Sequence, residues 1–225
     1  MPFPEAGGAH RMRFTSKDAE ERIEAVRQWF GDQGREEFVW WIGPSATPPD
    51  LEARLLARGA AWWREGVIAS MLAEHPPPSV SGIDVRRVET YEEFVIAREI
   101  AWTVVGFTAE QSAEVLTTLP EKWEARISSD DGAAYLAYVD GKPAASADML
   151  FLSFAGFLSG ASTLPEHRSR GIYRALIRAR WDDAVRRGTP ALIVGAGAMS
   201  RPILERIGFR TVAEQHLLLD RSNRS

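Results

Sequence analysis

The feature that most narrows the fold of this chain is an order of elements that occurs twice. Residues 171–219 read as a helix from Gly171 to Arg187, then Gly188, an apolar strand Ala191-Leu192-Ile193-Val194 and a glycine-rich turn. A short helix from Arg201 to Arg206, Gly208-Phe209 and a strand from Thr211 to Leu219 complete the set. Residues 16–72 repeat it: a helix from Ser16 to Phe30 capped by Ser16, Gly34, a strand from Phe38 to Ile42, a Gly-Pro-Ser turn, a helix from Pro49 to Ala57, Gly59, and a strand from Val67 to Leu72. The stretch Pro49-Asp50-Leu51-Glu52-Ala53-Arg54 resembles Pro202-Ile203-Leu204-Glu205-Arg206. A diverged internal repeat accounts for this order, as does the helix and strand alternation of any α/β chain.

Three prolines followed by small residues, Pro76-Pro77-Pro78-Ser79-Val80-Ser81-Gly82, read as a semi-rigid linker. The expected organisation is a partial unit over 1–75, a linker over 76–82 and a larger domain over 83–225. The larger domain opens with a strand from Ile83 to Val88 and helices between Tyr91 and Ile127. Strands then follow at 134–139, 143–151 and 157–164, with Asp140-Gly141 as a hairpin turn signal. Antiparallel strands therefore precede a parallel β-α-β crossover. The fold class expected is α/β, with a mixed sheet and helices on both faces.

Composition removes several classes of function. The chain of 225 residues has no cysteine, which excludes disulfides, thiolate metal ligands and a cysteine-linked acyl-enzyme. His10, His75, His167 and His216 are too scattered to suggest a local metal site, and no metal is expected. A formal net charge of −4 disfavours nucleic acid as a partner. Apolar runs fall well short of a membrane span. The N-terminal residues lack a signal-peptide pattern, so a cytoplasmic location is expected. Against this acidic background, His167, Arg168, Arg170, Arg174, Arg178 and Arg180 crowd together. Such a patch suits an anionic small molecule.

The same basic run lies where the strand 157–164 passes through a polar loop into the helix opened by Gly171. The first N–H groups of a helix lack intrahelical partners and sit at the positive end of its dipole, which makes an anion cradle. Gly171 lets a diphosphate approach the backbone, and Arg168, Arg170 and Arg174 add charge-assisted donors. From the loop alone, an arginine-rich first turn is more often an ordinary solvated face, and it is the strand-to-helix context that favours the anion site.

The run Thr163-Leu164-Pro165-Glu166-His167-Arg168-Ser169-Arg170-Gly171-Ile172 resembles the acetyl-CoA signature of the GNAT superfamily. That pattern is Gln or Arg, two residues, Gly, one residue, then Gly or Ala. Arg168 and Gly171 fit it, and Tyr173 replaces the small final residue. Downstream, Ser200-Arg201-Pro202-Ile203-Leu204-Glu205-Arg206-Ile207-Gly208-Phe209 is similar to the family's second motif, beside the pantetheine arm. The family carries a tyrosine acid where this chain has Leu204. The resemblance covers roughly residues 83–219 and implies an acyl-CoA N-acyltransferase fold, preceded by a half GNAT-like unit without a phosphate loop.

The resemblance also implies acetyl-CoA as co-substrate, held by Thr163, Leu164, Arg168, Ser169, Arg170, Gly171, Ile172, Tyr173, Arg174, Ser200 and Leu204. It implies direct transfer of acetyl to an amine of a small molecule or peptide in a ternary complex. Candidates for the base are Asp148 and Glu99, and for the acid Tyr173 and Tyr138. Trp102 and Trp123 could line an acceptor pocket or pack in the core; for Trp40, Trp41, Trp62 and Trp63 core packing comes first. Rival readings are a catalytically silent acyl-CoA-binding or sensing protein, motivated by Leu204, and a tandem enzyme resembling mycothiol synthase. The protein is expected as a monomer or homodimer.

Overall fold

In the computed structural model, residues 8–222 are described. They form two compact units that interleave in sequence: 8–71, 195–203 and 211–222 in the first, 72–194 and 204–210 in the second. A single cut at the proline stretch therefore does not coincide with the unit boundaries.

In the first unit the strands are β1 (Gly8–His10), β2 (Glu37–Ile42), β3 (Ala61–Ala73, its last two residues in the second unit) and β9 (Arg210–Arg221, from Thr211 on). Their sheet order is β1-β2-β9-β3. β1 runs parallel to β2, and β2 runs antiparallel to β9. The helix α1 (Ala19–Asp32) starts later than the sequence suggests. The reason is a reciprocal turn: Thr15 N donates to Asp18 Oδ1 at 2.7 Å and Asp18 N to Thr15 Oγ1 at 3.2 Å, so Asp18, not Ser16, takes the N-cap position. β3 is longer than expected because Gly66, at φ 65°, bends the strand without ending it.

Ala19, Ile23, Arg27 and Phe30 form the buried stripe of α1, at helical spacing. Ile23 and Phe30 pack on Phe38 and Trp40 of β2, on Leu51 and Leu55 of α2 (Leu51–Ala57), and on Leu218 of β9. Phe30 stacks on Phe38 with ring centroids 4.1 Å apart. Val39, Ile68 and Leu217 make a second cluster. β2 is thus apolar on consecutive residues because both its faces are covered.

In the second unit β4 (Asp84–Arg87), β5 (Gly132–Val139), β6 (Lys142–Phe151), β7 (Gly156–Thr163) and β8 (Leu192–Ala196, to Val194) follow the order β8-β7-β6-β5-β4. Neighbours from β4 to β7 are antiparallel, and β7 and β8 are parallel. The β5–β6 hairpin turns on Asp140 and Gly141, both at positive φ, as the Asp-Gly pair predicts. Three helices follow β4: α3 (Tyr91–Val105), α4 (Ala109–Leu116) and α5 (Leu119–Ser128). α3 and α4 begin with capping boxes, Thr90 with Glu93 and Thr108 with Gln111. Phe94, Ala97 and Ile100 of α3 pack on Ala134 and Leu136 of β5. The alternate residue, Tyr135, points to α6 (Ile172–Arg186) and hydrogen-bonds Asp183. The sheet of this unit is therefore covered on both faces.

Candidate functional site

β7 and β8 are hydrogen-bonded at Gly156↔Leu192 and Phe157↔Ile193 and then part. β7 nevertheless runs on to Thr163. On its other side it stays paired to β6 up to Ala145↔Thr163, but the register shifts between Asp148↔Gly160 and Met149↔Leu158. Ser159 is therefore the extra residue of a bulge. A parted edge with a bulge beside it leaves main-chain groups aimed into a cleft rather than into a ladder.

Beyond β7 the chain makes a 3-10 turn over Pro165–His167 and reaches Ser169 at φ 62° and Gly171 at φ 83°. Gly171 is the N-cap of α6, and the first bond of that helix is Ala175 N to Gly171 O at 3.1 Å. The N–H groups of Ile172, Tyr173 and Arg174 thus precede the intrahelical ladder. A Cβ on Gly171 would meet Arg174 Nη2 and Val80 Cγ1, each at 3.3 Å. Arg174 accordingly lies over the helix start. These features fit a diphosphate: a glycine at the turn, a helix N-terminus with N–H groups outside the ladder, and an arginine beside it.

The basic patch divides. Arg168 donates from Nε to Thr163 O at 3.4 Å, and Arg170 sits 3.9 Å from Asp140. Both stay exposed with Arg174 around the loop. Arg178 instead donates to Pro77 O at 3.1 Å and pairs with Asp182. Arg180 is not in the patch at all. It is 1% exposed and donates to Leu176 O at 3.0 Å, Asp148 O at 3.1 Å and Gly160 O at 3.2 Å, behind the bulge. Its Nη2 has no partner. Burial pulls the guanidinium down to about 10, so it stays charged at neutral pH.

Of the residues expected to do chemistry, Tyr173 stands in the first turn of α6, half-buried. Burial raises its phenol above the ordinary tyrosine value, and Arg180 pulls the other way. Asp148 is occupied as a hydrogen-bond acceptor: Arg98 Nη2 of α3 reaches it at 2.6 Å and Arg126 Nη2 of α5 at 3.3 Å. Each of its oxygens thus accepts from an arginine. Glu99 is exposed on α3 and is not drawn into this cluster. Tyr138 lies opposite Asp84 with Arg86 over its ring at 4.8 Å, on the β4 edge of the sheet and away from β7. Leu204 is fully buried, and Ser200, in the first unit, donates to Gly197 O at 3.4 Å.

Trp102 is a core residue stacked on Phe107 at 6.2 Å, and Trp123 packs on Phe94 at 5.5 Å. Arg98 and Arg126 are the residues that sequence reasoning missed. Burial lowers the Arg126 guanidinium; Asp148 opposes this, and Arg98 and Arg87 add to it. The available signal was an arginine, Arg98, adjoining the apolar stripe Phe94, Ala97 and Ile100. Among the described residues no group of three metal-ligating side chains is assembled, and no helix is long and apolar enough to cross a membrane.

Solved structures share this fold. A GCN5-related N-acetyltransferase from Kribbella flavida is 20% identical with a TM-score of 0.68, over 95% of this chain and 80% of that one. Another from Sphaerobacter thermophilus is 18% identical with a TM-score of 0.66, over 93% and 71%. A tandem GNAT protein from the clavulanic acid biosynthesis pathway is 16% identical with a TM-score of 0.66, over 92% and 70%. No curated protein matches the chain significantly in sequence. The profile of the Acetyltransferase (GNAT) family matches residues 88–209, a span that holds the bulged strand, its parted neighbour and the Gly171 loop. With more than half of its length in that match, the chain belongs to the GNAT acetyltransferase family.

Proposed function

We propose that the protein is an acetyl-CoA-dependent N-acetyltransferase that acetylates the amine of a small molecule or peptide by direct attack in a ternary complex. The observation that carries this reading is the parting of β7 from β8 just upstream of the glycine-led helix α6. A cleft edged by free main-chain groups, with an anion cradle at its end, suits a thioester on a long diphosphate-anchored arm.

The N–H groups at the start of α6, with Arg168, Arg170 and Arg174, hold the diphosphate. Main-chain groups at Thr163 hydrogen-bond the pantetheine amides, whereas Leu164 N turns to the other side and donates to Ala144 O at 3.0 Å. When bound, the thioester supplies an activated acyl carbon. N–H groups freed near the Ser159 bulge polarise its carbonyl oxygen. The acceptor nitrogen bonds to the carbonyl carbon, the C–S bond breaks, and sulphur leaves with the electron pair. Tyr173 donates the proton to that sulphur, since burial keeps its phenol protonated, and the proton shed by the acceptor nitrogen passes through solvent to restore the phenol. Asp148, held by Arg98 and Arg126, organises the α3 side of the cleft instead of taking a proton, and the acceptor amine reacts in its neutral form.

A second reading rests on Leu204, a buried hydrocarbon at the family's acid position: a catalytically silent acyl-CoA-binding or sensing protein. Calorimetric titration with acetyl-CoA, of the parent chain and of Gly171→Glu, tests the shared part of both readings. Saturable binding that the variant loses supports the cradle, and no binding by the parent rejects both readings. Turnover with a broad amine panel then separates them, because binding without turnover favours the sensor.

A further inference from the structure

Where β2 ends, the first unit contains a cavity of about 730 Å³, within the range of small-molecule sites. Its wall comes from the loop after β2, the start of α2 and the first residues of β9, all within that unit. The cavity exists because the pairing of β2 with β9 stops at Ile42↔His216. β9 continues back to Thr211 while the chain beyond Ile42 turns away at Gly43-Pro44.

The wall is rich in acceptors and poor in donors. Pro44, Pro48 and Pro49 carry carbonyls but no N–H. The N–H groups of Ala46, Thr47 and Leu51 are already used, on Gly43 O at 2.9 Å, Met12 O at 3.2 Å and Pro48 O at 3.0 Å. Two carboxylates, Glu52 and Glu214, line the cavity, the second paired with Arg201 Nη1 at 2.8 Å, and among the described residues no arginine or lysine is on the wall itself. Glu52 is paired with His216 Nδ1, and the Trp62 ring lies 5.5 Å from that imidazole. Ile42, Pro48 and Leu51 supply apolar surface.

Such a wall asks for a ligand that brings donors and positive charge on an apolar body, and it repels phosphates and carboxylates. We propose that this cavity binds an organic cation, a primary ammonium on a small apolar body, with its N–H groups donating to the Glu52 carboxylate. The site is independent of the acetyl-transfer reading and involves no covalent step. The cavity of about 350 Å³ in the second unit contrasts with it, since Arg87 and Arg126 are on its wall.

The test is a calorimetric titration of the full chain, without acetyl-CoA, using 2-phenylethylamine, 2-phenylethanol and 3-phenylpropionate, which share a shape and differ in charge. The expected result is saturable binding of the amine, at least about tenfold weaker binding of the alcohol and none of the carboxylate. Glu52→Gln should weaken the amine about tenfold. Val212→Trp, at a rim position that is 50% exposed, should abolish binding by filling the cavity while leaving the unfolding midpoint unchanged. Should Glu52→Gln fail to fold, Val212→Trp decides alone. No binding of the amine, equal affinity for amine and alcohol, or amine binding that survives Val212→Trp would overturn the proposal.

Discussion

The two units each bury an arginine, and they treat it in opposite ways. In the first unit, Arg27 of α1 meets Asp220 through Nε at 2.9 Å and Nη2 at 3.1 Å, and its remaining donors go to Glu24 at 3.0 Å and Arg58 O at 3.0 Å. Trp40 Nε1 also donates to Asp220, at 2.8 Å. Charge and hydrogen bonds are closed on themselves, as an arrangement that only holds the fold should be. In the second unit, Arg180 has carbonyls and no carboxylate, with Nη2 unpartnered, and it lies against the bulge in the strand that borders the cleft. A buried cation that the fold does not neutralise leaves a positive field at that place. The contrast teaches where to look for chemistry: at the polar group left incomplete, not at the one fully paired.

The sharpest test of that contrast pairs two substitutions. Asp220→Ala strands a buried guanidinium and an indole N–H, and should cost about 3–5 kcal/mol in urea unfolding. Arg180→Met removes the charge itself and leaves two carbonyls without donors, so about 1–2 kcal/mol is expected. Equal losses would break the comparison. Next in size is Gly171→Glu, which puts a carboxylate and a side chain at φ 83° into the anion cradle. Acetyl-CoA affinity should fall at least about a hundredfold by calorimetry, or about 2.7 kcal/mol.

Tyr173→Phe should lower kcat about tenfold, at the modest end of general-acid effects, with KM for acetyl-CoA unchanged. Because burial raises the phenol above its ordinary 10.0, the parent enzyme should keep its proton donor across the neutral and mildly basic range. An activity loss assigned to Tyr173 below that value would refute the role. The smallest effect belongs to the rim of the second unit, where a hydrogen bond from Arg187 lowers the Asp130 carboxyl below its ordinary 3.8. A depressed folded-state value stabilises the fold above the unfolded value, and this contribution disappears as pH falls through the folded one. Arg187→Gln should return Asp130 to its ordinary titration, read by NMR, with little change in stability at neutral pH.

Legibility in the sequence followed distance along the chain. Residues 163–174 could be read as a strand, a turn and a glycine-led helix because their geometry depends on near neighbours: a glycine at the helix start and a diphosphate motif within ten residues. The Asp140-Gly141 hairpin was local for the same reason. Asp148 was recognised as a carboxylate near the cleft, but its two arginines lie 50 and 22 residues away, and their claim on it was invisible. Arg180 looked like part of a solvated patch because a run of arginines carries no sign of which one turns inward. The missing acid at Leu204 was plain from the sequence, and its complete burial came only with the fold.

The sequence by itself determined the order of helices and strands, the glycines at the turns and the family motif, since these depend on backbone conformation and neighbouring side chains. Only the tertiary structure decided that β9 pairs with β2 in the first unit, that Asp220 meets Arg27 across 193 residues, and that Arg180 is sealed behind a bulge. The physical reason is that burial and charge pairing are properties of contacts between distant segments, and a buried polar group is satisfied or left open only when those segments close on it.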